Sequence, residues 1–227
     1  MFGEFLTAFD PADRAMLAQF LAPPPVPQSR RRPRRGQTVT YRVHVQIAGT
    51  DPLIWRRIDL SSDLSLDRVH DVLQRVMGWS DDHLHHFVSG DDLYGPDTER
   101  YLMPFSIDQG SVGIDERKVR LDEVLVEPGD RLWYEYDFGD SWAHILELEE
   151  VLASDPDAPS AHCLAGARAC PPEDCCGVWG YDNMLRVLAN PPGPELDELH
   201  DWLGPDFDPA SFDLRRVNAA LARTRAA

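Results

Sequence analysis

The residues best suited to chemistry lie in one nine-residue stretch around Gly139. The stretch reads Tyr136-Asp137-Phe138-Gly139-Asp140-Ser141-Trp142-Ala143-His144 and interrupts an alternating strand pattern. Because glycine adopts positive φ without steric cost, Gly139 predicts a bulge or tight turn. Such a turn could bring Asp137, Asp140 and His144 close enough for acid/base work. The alternative is structural, because aspartates next to glycine often cap their own turn and the aromatic residues would then belong to the core.

Four cysteines form the second group with chemical potential. They are Cys163, Cys170, Cys175 and Cys176. Zinc prefers tetrahedral thiolate and imidazole ligands, so the first three cysteines together with His144 would supply a complete set. The spacing is not the paired CxxC of a zinc ribbon, however, and thiols that pack as small hydrophobic side chains are the alternative.

Three imidazoles follow two acids in the segment Asp81-Asp82-His83-Leu84-His85-His86. On the strand that we predict here, His83 and His85 share one face of the sheet and His86 takes the other. A histidine–carboxylate pair can perform acid/base catalysis near neutral pH, or it can close a sheet face with hydrogen bonds. The sequence leaves both roles open.

The charge of the chain limits its partners. The net charge is −17, and the 35 residues before Gly36 contain six arginines and only three acids, so the remainder carries −20. Nucleic-acid affinity depends on many Lys and Arg contacts with phosphates, so only the run Arg30–Arg35 could contact nucleic acid. In a proline-rich linker, such a run is more often simply solvated. The clustered cysteines and the lack of an apolar leader or membrane span favour the cytoplasm and no membrane.

The elements that would position these residues follow from hydrophobic spacing. The pattern predicts a short helix at residues 1–21 and a Pro/Arg-rich linker at residues 22–37. It predicts one folded domain at residues 38–227. Within the domain we predict strands at 38–47, 54–60, 83–88, 131–136 and 145–151, a helix from Ser65 to Gly78, a helical turn at 119–125, and C-terminal helices at 182–188, 195–203 and 212–222. This order predicts an α+β fold, specifically a β-grasp-like roll of about five strands with one packed helix, followed by a helical segment.

With these segments in view, the chain resembles the plasmid pRiA4b ORF-3-like family. The resemblance rests on Tyr136–His144 and Ala169–Tyr181. Shorter matches are Pro52–Ile58, Gly78-Trp79, His83-Leu84, Pro128–Asp130 and Asp206–Pro209. Cys176 departs from the family pattern, which usually has a second glycine there, and this puts in doubt a turn that needs positive φ. Ala143 also departs, because that residue is more often polar.

The resemblance implies an α+β fold and an association with mobile DNA elements, since some members carry a transposon-accessory name. It implies no recombinase, because nothing here matches a serine or tyrosine recombinase active site. We expect a cytosolic binding or accessory module rather than an enzyme, with an unknown protein or small molecule as its partner. The expected binding residues are Tyr136, Asp137, Asp140, Trp142, His144, Glu173, Asp174, Trp179 and Tyr181. The alternative is a metal-dependent hydrolase that uses zinc bound by Cys163, Cys170, Cys175 and His144.

Overall fold

The structure, a computed structural model, describes residues 29–223 and places eight strands in one sheet. The strands are β1 (Val39–Ile47), β2 (Trp55–Ser61), β3 (His85–Ser89), β4 (Glu99–Leu102), β5 (Ile114–Asp115), β6 (Arg131–Tyr136), β7 (Trp142–Ala153) and β8 (Ala161–Ala167). Their order is β5-β4-β3-β6-β7-β1-β2-β8. Neighbours are antiparallel throughout this part of the chain except for β4 and β5. The predicted helix at residues 1–21 and the start of the predicted linker lie outside the described residues.

Helices complete the α+β fold that the sequence predicts. They are α1 (Leu66–Met77), α2 (Pro104–Asp108), α3 (Leu121–Val124), α4 (Gly177–Leu188), α5 (Pro194–Leu203) and α6 (Leu214–Ala222), with a 3₁₀ turn at Glu116–Lys118. The expected number of strands was too small, because β4, β5 and β8 extend the sheet at both edges. The β-grasp comparison stays a prediction. Between residues 29 and 223, no helix combines the length and hydrophobicity needed to cross a membrane.

Helix α1 covers one face of the sheet, and alternation along the strands explains why. In β1, the residues Tyr41, Val43, Val45 and Ile47 are all fully buried while their neighbours are not. The apolar side of α1 meets this face through Leu66, Val69, Val72, Leu73 and Val76. The helix ends at Gly78, which takes φ 90° and donates its N–H to the carbonyl of Gln74 at 2.8 Å. Helix α6 packs against both α1 and β8.

The buried face of the sheet is unusually rich in imidazole groups. His144 on β7 is fully buried, and its Nδ1 lies 2.9 Å from the carbonyl oxygen of Trp142. Burial lowers the pKa of His144 to about 4. His70 on α1 is also buried, and burial together with the neighbouring His85 lowers its pKa to about 4. Both imidazoles are therefore neutral in the folded protein near neutral pH.

The arginine run lies against the domain. Its contacts are Arg30 Nε to the Asp97 carbonyl (2.7 Å), Arg31 to Glu123 (3.6 Å), Arg32 to Asp130, Arg34 Nε to Glu123 (2.9 Å) and Arg35 Nε to the Tyr41 hydroxyl (2.6 Å). The backbone joins as well, because the N–H of Arg32 donates to the Glu123 carbonyl at 2.8 Å. The run is therefore held to the domain by ion pairs while Arg30, Arg32 and Arg34 remain exposed to solvent; its role as a solvated linker stays a prediction.

The buried imidazoles lead to a prediction about acid stability. We expect the free energy of unfolding to fall as the pH drops from the ordinary histidine value of 6.5 toward 4, because the unfolded chain binds protons that native His144 excludes. Each such histidine contributes a slope of up to about 1.4 kcal/mol per pH unit in this window. Urea titrations at several pH values give the free energy of unfolding at each pH. The change of this free energy with pH should be smaller in His144→Gln than in the wild type. The exposed His162→Gln serves as the matched control, and an equal slope in His144→Gln and wild type would contradict the assignment.

Candidate functional site

Three loops meet at one end of the sheet, beside the C-terminal end of β6. They are residues 78–84 between α1 and β3, residues 137–141 between β6 and β7, and residues 168–177 before α4; together we call them the three-loop junction. The two segments that carry the strongest sequence motifs thus belong to the same junction. Their contacts with each other and with residues 78–84 define the site.

Tyr136, the last residue of β6, connects all three loops. Its hydroxyl donates to Glu173 Oε1 at 2.7 Å and accepts the backbone N–H of Asp82 at 3.2 Å. Trp79 stacks on the Tyr136 ring with centroids 5.0 Å apart, and its indole N–H donates to the carbonyl of Pro171 at 2.9 Å. Burial and the hydrogen bond to Glu173 raise the pKa of Tyr136, so the phenol remains a donor.

Gly177 brings the β6–β7 turn and the start of α4 into direct contact. A Cβ atom at this position would lie 2.3 Å from the carbonyl oxygen of Asp140, and the residue takes φ 65°. Only glycine combines this backbone conformation with such a close approach. The Asp140 side chain points inward as well, because its Oδ2 is buried and has no hydrogen-bond partner in the described part of the chain.

Left-handed backbone conformations concentrate in the same place. Six residues other than glycine at the junction have positive φ: Asp81, Asp137, Ser141, Arg168, Asp174 and Cys176. Such conformations cost free energy and tend to cluster at functional sites. Cys176 takes φ 67°, so the positive φ that a cysteine at this position puts in doubt is adopted here despite the side chain.

His83 stands between two of these strained aspartates. Its Nδ1 is 3.7 Å from Asp137 Oδ2, and its Nε2 is 3.5 Å from Asp174 Oδ1. Asp137 is buried, and its other oxygen accepts the N–H of Gly139 at 2.9 Å. The predicted strand began too early here, because β3 starts at His85 and leaves His83 in the loop. The sequence Asp81-Asp82-His83 was the feature that marked His83 as a candidate for chemistry.

The junction carries an excess of negative charge. Its carboxylates are Asp81, Asp82, Asp137, Asp140, Glu173 and Asp174. Within residues 29–223, no Lys or Arg side chain forms an ion pair with any of them. The only ion-pair partners that they find in this range are the imidazoles of His70 and His83.

The remaining predicted binding residues differ in their exposure. Trp142, His144 and Tyr181 are fully buried, as Tyr136 is. Trp142 pairs with Tyr136 across the β6–β7 hairpin, and the rings of Trp142 and His144 lie 6.1 and 5.3 Å from that of Trp79, so these two residues support the junction from the core. Trp179 is 87% exposed, but it lines a separate groove beside Asp51 and Pro52.

The predicted zinc ligands do not assemble. Among the described residues, no three donor atoms of Cys163, Cys170, Cys175 and His144 lie within 4.8 Å of one another. A buried guanidinium, that of Arg56, interacts electrostatically with Cys163, Cys170 and His144. Arg56 donates to three backbone carbonyls, of Val76, Trp55 and Ala167. Burial raises the pKa of Cys170 and of Cys175 to about 12, so these thiols stay protonated near neutral pH.

A second histidine group lies deeper, beneath the junction. The rings of His70 and His85 stack with centroids 3.5 Å apart and an interplanar angle of 7°. His70 contacts Asp81 Oδ1 and the Tyr134 hydroxyl, both at 2.8 Å, and His85 Nε2 lies 2.9 Å from Glu116. Three of the four ring nitrogens thus have hydrogen-bond partners, and both histidines are buried in the core.

Sequence comparisons identify the chain's relatives. A sequence model of the family described as "Plasmid pRiA4b ORF-3-like protein" matches residues 39–216. The chain belongs to this family. Another relative is the "Uncharacterized protein y4hQ" of Sinorhizobium fredii, which is 32% identical over 183 residues, or 79% of this chain and 89% of that protein.

A solved structure shows the same fold for a plasmid pRiA4b ORF-3-like relative. It is the crystal structure of the "Protein of Unknown Function MM3350" from Methanosarcina mazei Go1, with a TM-score of 0.69 and 33% sequence identity. The match covers 78% of this chain and 97% of that one. The fold is thus shared between the two proteins, and the names of these two relatives assign no activity.

The contact at Gly177 leads to a stability prediction. We expect Gly177→Ala to lose about 1–2 kcal/mol through its positive φ and about 1–3 kcal/mol more through the clash with the Asp140 carbonyl. Gly78→Ala is the matched control, because Gly78 also has positive φ but has no atom within 4 Å of the added Cβ. Chemical denaturation should therefore give a lower free energy of unfolding for Gly177→Ala than for Gly78→Ala. Equal losses in the two variants would mean that the close approach contributes nothing.

Proposed function

We propose that this protein is a cytosolic, non-enzymatic binding or accessory module that engages its partner through the three-loop junction. The observation that carries the proposal is the set of six carboxylates on three adjoining loops, with which no Lys or Arg of residues 29–223, Arg168 of the same loops included, forms an ion pair. An acidic surface of this kind favours a partner that carries positive charge.

The rigidity of the junction supports a binding role. Tyr136 joins the loops by hydrogen bonds, Gly177 sets their close approach, and the backbone of Asp81, Asp137 and Asp174 holds left-handed conformations. Side chains that are ordered before binding lose little conformational entropy when a partner arrives. Phe138, which is 45% exposed on the β6–β7 turn, offers an apolar contact next to the charges.

The partner that we propose is a protein or a small molecule rather than nucleic acid. The acidic junction would repel phosphates, and the arginines at positions 30–35 already bind acidic groups of the domain. An association with mobile DNA elements, which the family resemblance implies, would then pass through a protein partner.

The test is a change of charge at Asp140 that preserves the shape of the side chain. We expect Asp140→Asn to lose at least tenfold, about 1.4 kcal/mol, in affinity for a partner isolated with the wild-type protein. The reason is that the substitution removes a buried, unpartnered carboxylate oxygen from the junction. Pull-down followed by titration of the purified partner measures the change.

The matched control is Asp157→Asn, which makes the same change of charge in the exposed β7–β8 loop. It should bind like the wild type. If Asp140→Asn is folded and binds its partner as tightly as Asp157→Asn does, the junction is not the binding surface.

A further inference from the structure

We infer that the three-loop junction contains a binding site for a divalent transition-metal ion, formed by His83, Asp137 and Asp174. This inference rests on the proposed function and names the chemistry of its site. One ring nitrogen of His83 and one carboxylate oxygen of each aspartate lie within 4.8 Å of one another. Nδ1 of His83 faces Asp137 at 3.7 Å and Nε2 faces Asp174 at 3.5 Å. Movement of the exposed Asp174 side chain toward the nitrogen that faces Asp137 would bring three ligands to the roughly 2.0–2.2 Å that zinc requires for imidazole nitrogen and carboxylate oxygen.

The donor atoms are available for such a role. Asp137 uses Oδ1 to accept the N–H of Gly139, which leaves Oδ2 directed at His83. The side chain of Asp174 is 77% exposed, so it can move toward a bound ion without disturbing the core. Its exposure also leaves the outer side of the site open to water or to a donor from the partner.

The composition of the site selects a class of ion. Two carboxylates alone would serve Mg²⁺ or Ca²⁺, whereas an imidazole nitrogen adds a ligand that suits Zn²⁺ and other first-row transition metals. A lysine or arginine of a partner would use the carboxylates and leave the imidazole lone pair unused. The excess of carboxylates around His83 strengthens the attraction for a divalent cation in particular.

The other candidate ligand sets in the described part of the chain are poorer. Of the four ring nitrogens of His70 and His85, only Nδ1 of His85 lacks a hydrogen-bond partner. Donor atoms of His70, Asp81 and His85 also lie within 4.8 Å of one another, but the nitrogens of His70 already contact Asp81 and the Tyr134 hydroxyl, and the two rings are stacked. The cysteines surround a buried guanidinium, which repels a second cation.

The experiment is calorimetric titration of the full-length protein with Zn²⁺ alone. We expect one equivalent to bind to the wild type. His83→Ala and Asp174→Asn should each weaken the affinity at least tenfold, because each removes one of three ligands; both positions are partly or fully exposed, so the variants should fold. His162→Ala and Asp157→Asn make the same chemical changes at exposed positions outside the junction and should bind like the wild type.

Two further variants separate the competing ligand sets. Cys175→Ser and His85→Gln should retain the wild-type affinity, and Co²⁺ bound in place of zinc should show no thiolate charge-transfer band. Three results would overturn the inference: no binding up to about 0.1 mM Zn²⁺, unchanged affinity in His83→Ala and Asp174→Asn, or loss of binding in Cys175→Ser or His85→Gln. If zinc does not bind while Asp140→Asn still loses the partner, then His83 serves as an ion-pair bridge and the proposed binding role stands.

Discussion

The close contact between the β6–β7 turn and the start of α4 is the constraint on which the site depends. With a Cβ position only 2.3 Å from the Asp140 carbonyl, Gly177 allows no intervening side chain or solvent layer. This contact sets the distance between the loop that carries Asp137 and the loop that carries Asp174. Tyr136 then fixes the orientation of the second loop through Glu173. Without this contact, the same carboxylates would lie on independent surface loops and would have no common geometry.

The junction is held from the opposite face of the sheet as well. Ser141, in the β6–β7 turn, donates to Glu135 Oε1 at 2.7 Å, and the hydroxyl of Tyr94 and the imidazole of His86 reach the same carboxylate. Burial alone would raise the pKa of Glu135, but these hydrogen bonds outweigh it and lower the pKa to about 2. Glu135 is therefore charged and hydrogen-bonded. Among the junction carboxylates, Glu173 accepts hydrogen bonds from Tyr136 and Ser80, whereas the buried Asp140 Oδ2 has no partner in the described part of the chain.

The sequence predicted those parts of the fold whose side chains alternate clearly. β1, β6 and α1 were predicted close to their observed bounds, because buried apolar residues recur with period two or 3.6. β8 was missed because Ala161–Ala167 is built mainly from small residues, and β4 and β5 because they are short. The turn motifs marked Asp137, Asp140 and Asp174, which do lie at the three-loop junction; that these residues bind a partner stays a prediction. The cysteine ligand set was predicted from clustering in sequence alone. That clustering could not show that the buried Arg56 lies near Cys163 and Cys170.

Burial distinguishes the two groups of histidines. His70, His85 and His144 are enclosed where hydration is lost, so the pKa of His70 and of His144 falls and hydrogen bonds with neutral groups or carboxylates satisfy most of their nitrogens. His83 stays partly exposed beside carboxylates with which no Lys or Arg of residues 29–223 forms an ion pair. Sequence proximity places His83 and His85 together, but β3 begins at His85 and leaves His83 in the loop. Of these four histidines, only His83 lies outside the helices and strands, and for that reason the proposed metal site uses His83 rather than the buried histidines.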